Sequence, residues 1–254
     1  MSVAISLDVE PDLHSGGFLS ITKGMKIVSS ILKKHNVKAT FFTTCDCIEH
    51  YPEIFRELER EGHEIALHGY RHTRFDDLTI KEREESIRKS LDVFNKYLKR
   101  KPKGFRAPQH SINKSTLEIL EKYDIKYDSS KTPLNLMQVI LFPRRIKLNL
   151  IGFFSRPYIY KIGNIYEIPT TSLLMPFVSI IIRAFPRWMQ KAYIRCIDII
   201  FRNKVFYAHS WDFIEIPKSR IDRRFSHEKV ISNFDFMIGY FKKLDKFVKM
   251  EKMI

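Results

Sequence analysis

The sequence predicts an α/β protein built on a parallel sheet, and three observations carry that expectation. Short β-rich apolar runs alternate with segments of helical periodicity over the first 130 residues, the pattern of repeated βα units. Asp8, His68, Arg106 and Asp128 each follow directly on such a run, at the strand ends where βα folds assemble active sites. The 254 residues, 44% of them apolar and 20 of them phenylalanine, suffice for one large core, so a single domain over 1–254 is expected.

Val3–Asp8 opens the chain as a strand. Ile21–Lys34 places Met25, Ile27, Val28, Ile31 and Leu32 at helical spacing. Ala39–Thr43 resumes the sheet, Pro52–Glu61 is an amphipathic helix stopped by Gly62, and Glu64–Leu67 is a strand leading into His68. Thr79 reads as the cap of a long charged helix over 81–98. Gly104–Arg106, Ser115–Lys122 and Ile125–Asp128 follow as strand, helix and strand. Farther on, Asn164–Pro169 and Lys204–Ala208 read as strands, the second ending at His209, and a basic helix is expected over 228–249.

The net charge of +15 is unevenly spread: residues 1–133 hold 23 Lys/Arg against 20 Asp/Glu, whereas 134–254 hold 21 against 9. Such a basic half points either to an anionic partner or to a solvated face. Residues 134–204 keep only Glu167 and Asp198 as acids among long apolar stretches, and read as a basic apolar insertion. Within it Leu173–Phe185 is too short to span a bilayer. Trp188 and Tyr193 stand near Arg187, Lys191 and Arg195, so this stretch is either an amphipathic segment on an anionic membrane surface or an ordinary barrel helix. No nucleic acid is expected as partner, since no recognition motif accompanies the charge. The first residues carry no basic leader and run into an acid, which predicts a cytoplasmic protein, peripheral at the inner membrane face if the insertion meets lipid. Cys45, Cys47 and Cys196 are odd in number and predict free thiols.

His68-Gly69-Tyr70-Arg71-His72 sets two imidazoles four residues apart after a strand, able to meet a divalent metal from one face of a helical turn. Asp8-Val9-Glu10-Pro11-Asp12 adds three acids at the end of the first strand. Strand alternation points Asp8 and Glu10 to one side, so one acid can bind metal while the other takes a proton. The same acids can instead act as turn formers. His14 and Gly16-Gly17 read as a lid loop beside them.

Five segments, in order, resemble the motifs of the NodB-like polysaccharide deacetylase family, carbohydrate esterase family 4. They are Ser6-Leu7-Asp8-Val9-Glu10, His68-Gly69-Tyr70-Arg71-His72, Arg106-Ala107-Pro108-Gln109, Tyr127-Asp128-Ser129-Ser130 and Ala208-His209. The resemblance implies a deformed (β/α) barrel, seven-stranded, of the NodB type. It implies a metal-dependent hydrolase that removes an N-acyl group, acetyl or formyl, from an amino sugar. Asp8 would be the general base, His68 and His72 metal ligands, and His209 the general acid. Arg106 would hold Asp8 ionised, and Asp128 would orient His209. The backbone N–H of Gln109, next to Pro108, falls at an oxyanion site.

The sequence departs from the family pattern in three places. The usual second aspartate of the first motif is Val9 here, so Glu10 is the expected third ligand of a divalent metal, zinc first, with Asp12 in reserve. The aromatic residue after the proline of the third motif is absent, as is the tryptophan of the fourth, and Trp211 is the expected substitute wall. Without an export leader, a lipid-linked or nucleotide-linked sugar is a better substrate than a wall polymer. The alternatives are a non-sugar amidohydrolase of the allantoinase-like, metal-free branch, and a carbohydrate-binding relative without catalysis.

Overall fold

Strand β1 (Ser2–Val9) explains much of the architecture, because its two faces differ. Val3, Ile5, Leu7 and Val9 join the large core shared with the helices. Ala4 belongs instead to a small inner cluster with Phe42, Ala66, Tyr127, Ile168 and Val205. The two-residue period of a strand continues that inner face through Ser6 and Asp8. The structure, a computed structural model, describes residues 1–12, 15–136, 140, 150, 152–215 and 225–254.

Helices cover the outer face. α1 (Met25–Lys34) buries Met25, Val28, Ile31 and Leu32, one stripe at helical period. α2 (Cys45–His50) follows β2 (Thr40–Thr43) at once, and α3 (Pro52–Arg60) opens with proline in its first turn. After β3 (Glu64–Leu67) comes α4 (Ile80–Leu98), whose Thr79 cap is reciprocal. Thr79 Oγ1 accepts from Glu82 N at 3.3 Å, and Glu82 Oε2 accepts from Thr79 N at 2.7 Å. β4 (Gly104–Phe105), α5 (Lys114–Lys122) and β5 (Tyr127–Asp128) close the first half. Gly104 is required there, because a Cβ would stand 2.0 Å from the Tyr127 ring that fills the inner cluster.

The second half supplies β6 (Tyr160–Ile162), β7 (Ile165–Glu167), the small hairpin β8 (Ser172–Leu173) and β9 (Met175–Pro176), and α6 (Ser179–Ala184). It ends with α7 (Arg187–Ile200), β10 (Asn203–His209), α8 (His227–Phe241) and β11 (Lys246–Phe247). The main sheet runs β10-β1-β2-β3-β4-β5-β7-β6. Its first seven strands are parallel, and β6 is the antiparallel edge. Irregular backbone then spans from β7 back to β10. Thr170 N donates to Lys131 O at 3.0 Å, Thr171 N to Val205 O at 3.2 Å, and Tyr207 N to Phe177 O at 3.2 Å. This curls the sheet into a barrel closed by loop rather than by strand on that side.

Three local expectations change. The helix expected over 228–249 stops at Phe241. The chain then turns so that Phe247 pairs with Val3 and Met250 plugs the inner cluster. Leu173–Phe185 is not one continuous segment: it breaks into a hairpin and α6, and buries Phe177, Ile181 and Ile182 while Leu174 stays exposed. His68–His72 is a bend rather than a helical turn: Gly69, at φ +87°, turns the chain out of β3. His14 of the expected lid, and Arg144, Arg145 and Lys147 of the basic segment, lie outside the described residues.

Candidate active site

Asp8 ends the inner face of β1, and Arg106 meets it from the loop after β4. The guanidinium is fully buried, and every hydrogen bond it makes is directed at this corner. Nη1 donates to Asp8 Oδ1 at 2.6 Å, Nη2 to Ser6 Oγ and Ser129 Oγ at 3.0 Å each, and Nε to Ser129 O at 3.0 Å. Its flat face lies 4.1 Å from the Phe42 ring centre. Burial opposes ionisation of Asp8, but Arg106, then His68 and His209, hold its carboxyl well below the usual range. Asp8 is therefore an anion with one oxygen committed to Arg106 and the other, Oδ2, facing His68 Nε2 at 3.9 Å.

Glu10, His68 and His72 form a possible three-residue metal site, their ligand atoms all within 4.8 Å of one another. His68 Nδ1 donates to Arg106 O at 2.8 Å, which leaves the Nε2 lone pair for a cation. Glu10 Oε2 lies 2.7 Å from His72 Nε2, and its other oxygen accepts from Trp211 Nε1 at 3.1 Å. Val9, in the place of the family's second aspartate, points into the helix-facing core and is fully buried. Asp12 is occupied elsewhere: its carboxylate accepts from Leu19 N at 2.7 Å and Ser20 N at 2.8 Å. A donor set of one buried carboxylate, one buried imidazole and one half-buried imidazole, braced by a carbonyl and an indole, fits a divalent metal.

His209 is the register partner of Asp8 on the neighbouring strand. Its ring stacks on Trp211 at 4.2 Å between centroids and 13° between planes. Behind it stands Asp212, whose Oδ2 accepts from His209 N at 2.7 Å and lies 3.7 Å from Nδ1. Arg183 of α6 holds the far side of that carboxylate through Nε at 3.1 Å and Nη2 at 2.5 Å. Burial lowers the proton affinity of His209, but Asp212, then Glu10 and Asp8, raise its pKa to about 9.

The acid expected beside His209 was Asp128, and the structure seats Asp212 there instead. Asp128 accepts from Ser130 Oγ at 2.6 Å, and that same hydroxyl accepts from Ala107 N at 2.8 Å. Glu167, its fully buried neighbour on β7, accepts from Lys131 N at 3.0 Å. Burial and the charge of Asp128 push the Glu167 carboxyl well above the usual range, so the pair holds a proton. Asp128 thus braces the loop whose Ser129 grips Arg106. Asp212 and Arg183 were missed, although a carboxylate three residues after a strand-end histidine was there to be read in His209-Ser210-Trp211-Asp212.

Pro108 and Gln109 lie in a short 3₁₀ turn, Pro108 buried and Gln109 exposed at φ 53°. His110, at φ 56°, sends Nδ1 to Ser130 O at 3.0 Å. Burial and nearby Arg106 lower its pKa to about 4, so it is a neutral turn-former.

The polysaccharide deacetylase family profile matches residues 2–127, which carry Asp8, Glu10, His68, His72 and Arg106. The chain belongs to the polysaccharide deacetylase family. A peptidoglycan deacetylase of Helicobacter pylori is 31% identical over 120 residues, which is 47% of this chain and 41% of that protein. A putative polysaccharide deacetylase from Mycobacterium smegmatis has the same fold, with TM-score 0.74 at 18% identity over 99% of this chain and 88% of that one. So does an allantoinase, with TM-score 0.69 at 12% identity over the same shares. The deformed barrel expected of a polysaccharide deacetylase is therefore the fold observed. His209, at the end of the strand that pairs with β1, and Asp212, in the turn after it, lie beyond the matched residues.

Asp212→Asn tests the pairing of this second acid with His209. Without the negative charge, the imidazolium is held less strongly, so its pKa falls from about 9 toward the ordinary histidine value. The alkaline limb of a kcat/KM profile should move to lower pH. An unmoved limb would detach His209 from it.

Proposed function

We propose that the chain is a metal-dependent hydrolase that removes an N-acetyl or N-formyl group from an amino sugar. The observation that carries this reading is the pairing of Asp8 and His209 side by side on β1 and β10, next to the Glu10–His68–His72 cluster. Glu10, His68 and His72 would hold the cation, zinc first. When bound, it supplies Lewis acidity and a more acidic water.

Asp8 Oδ2, the oxygen not gripped by Arg106, takes the proton from the attacking water. Arg106 keeps that carboxylate ionised and fixes its direction. The backbone N–H of Gln109 is the proposed donor to the developing oxyanion, worth about 3 kcal/mol of barrier. His209, its Nδ1 side facing Asp212, delivers a proton from Nε2 to the leaving amine. Pro108 and the Trp211 indole wall the sugar. The basic second half favours a sugar carried on phosphate, either nucleotide-linked or lipid-linked.

Metal analysis, followed by an assay for released acetate or formate over soluble and lipid-linked N-acyl amino sugars, tests the reading. One bound divalent ion and chelator-sensitive release are expected. Turnover of a cyclic ureide but of no amino sugar would replace it with the allantoinase-like alternative. Sugar binding without turnover by the metal-loaded protein would make the chain a binding relative.

A further inference from the structure

Helix α7 is built the wrong way round for a helix whose outer side meets only water. Its inward side buries Gln190, Ile194 and Ile197. Its outward side, at the spacing 188, 192, 196, 199, presents Trp188, Ala192, Cys196 and Ile199. Trp188 is 70% exposed and Ile199 83%. Ile200, 55% exposed, extends the stripe into a cleft shared with Tyr158. Isolated exposed apolar residues need no explanation, but a stripe along a whole helix does.

A row of cations runs along one edge of the stripe. Arg187 rests on Ser232 and the Phe236 ring, Lys191 on the same ring, and Arg195 on Tyr240. Neutral partners hold these side chains in a line, and Asp198, the acid near Arg195, is itself paired with Lys204. Apolar and aromatic residues facing out, with cations alongside, are the features of a helix that lies in a bilayer interface. Among the described residues no helix is long and apolar enough to cross a membrane, so the contact is with a surface. The chain's charge of +15 opposes a second copy as occupant and favours an anionic one.

We propose that the outward face of α7 docks on the surface of an anionic phospholipid bilayer, with Trp188 and Ile199 entering the headgroup layer and Lys191 and Arg195 meeting lipid phosphates. This surface is separate from the catalytic groups, and its test needs no substrate.

The experiment is flotation of the full chain with vesicles of phosphatidylglycerol and phosphatidylcholine, against phosphatidylcholine alone, at low and high salt. Binding to the anionic vesicles that weakens with salt is expected. Trp188→Ser with Ile199→Ser should weaken it by at least about tenfold, and Lys191→Gln with Arg195→Gln should flatten its salt dependence. The chain has two tryptophans, so Trp188→Phe should remove the blue shift that vesicles produce in wild-type emission. Folded wild-type protein that stays unbound at low salt would overturn the proposal. So would a Ser double variant that binds as wild type does, or a wild-type dimer in solution that the same variant dissociates.

Discussion

Asp8→Asn is expected to lower kcat/KM by about 10²- to 10⁴-fold, the contribution of a positioned general base, with bound metal unchanged. Asparagine keeps the shape of the side chain and a carbonyl oxygen for the 2.6 Å contact with Arg106 Nη1. It loses the anionic oxygen opposite His68, and with it any capacity to take a proton from water. Metal analysis beside the kinetics separates this loss from damage to the Glu10–His68–His72 cluster. A variant with full metal and wild-type turnover would remove Asp8 from the chemistry.

Arg106→Met is expected to be costly in a different way. The buried ion pair would become a buried lone carboxylate, a change that typically costs about 3–5 kcal/mol. In the wild type, the folded-state pKa of Asp8 is depressed, so its ionisation adds stability above the unfolded value near 3.8, and that stability is lost as pH falls through the folded value. Without Arg106, burial dominates and the sign reverses. The folded-state pKa then rises, the variant is penalised at neutral pH, and acid relieves the penalty. Urea unfolding over a pH series reads this directly. Combining Arg106→Met with Asp8→Asn removes both charges, so the double variant should be more stable than the sum of the single losses predicts. Strict additivity would mean that the pair is not coupled.

What the sequence revealed and what it hid divide along physical lines. β1 was legible because a strand's two-residue period is local: it put Asp8 and Glu10 on one side and Val9 on the other, and the structure keeps that arrangement. His68 and His72 were legible as a pair by spacing, although the bend at Gly69 rather than a helical turn brings them together. Asp212 and Arg183 depend on packing. Arg183 lies 29 positions before Asp212, and only the docking of α6 beside β10 makes them partners. The end of the chain was misread for the same reason. Residues 246–250 have helix-like composition, yet pairing with Ser2 and Val3 and the burial of Met250 decide their conformation.

The register of β10 on β1 has one more consequence. Asp8 and His209 are partners across a parallel ladder, so their backbones are held at the spacing of adjacent strands, about 4.8 Å. In the proposed reaction the two strands thus keep the acceptor and the donor in one fixed register, while the loops around the rim are free to vary.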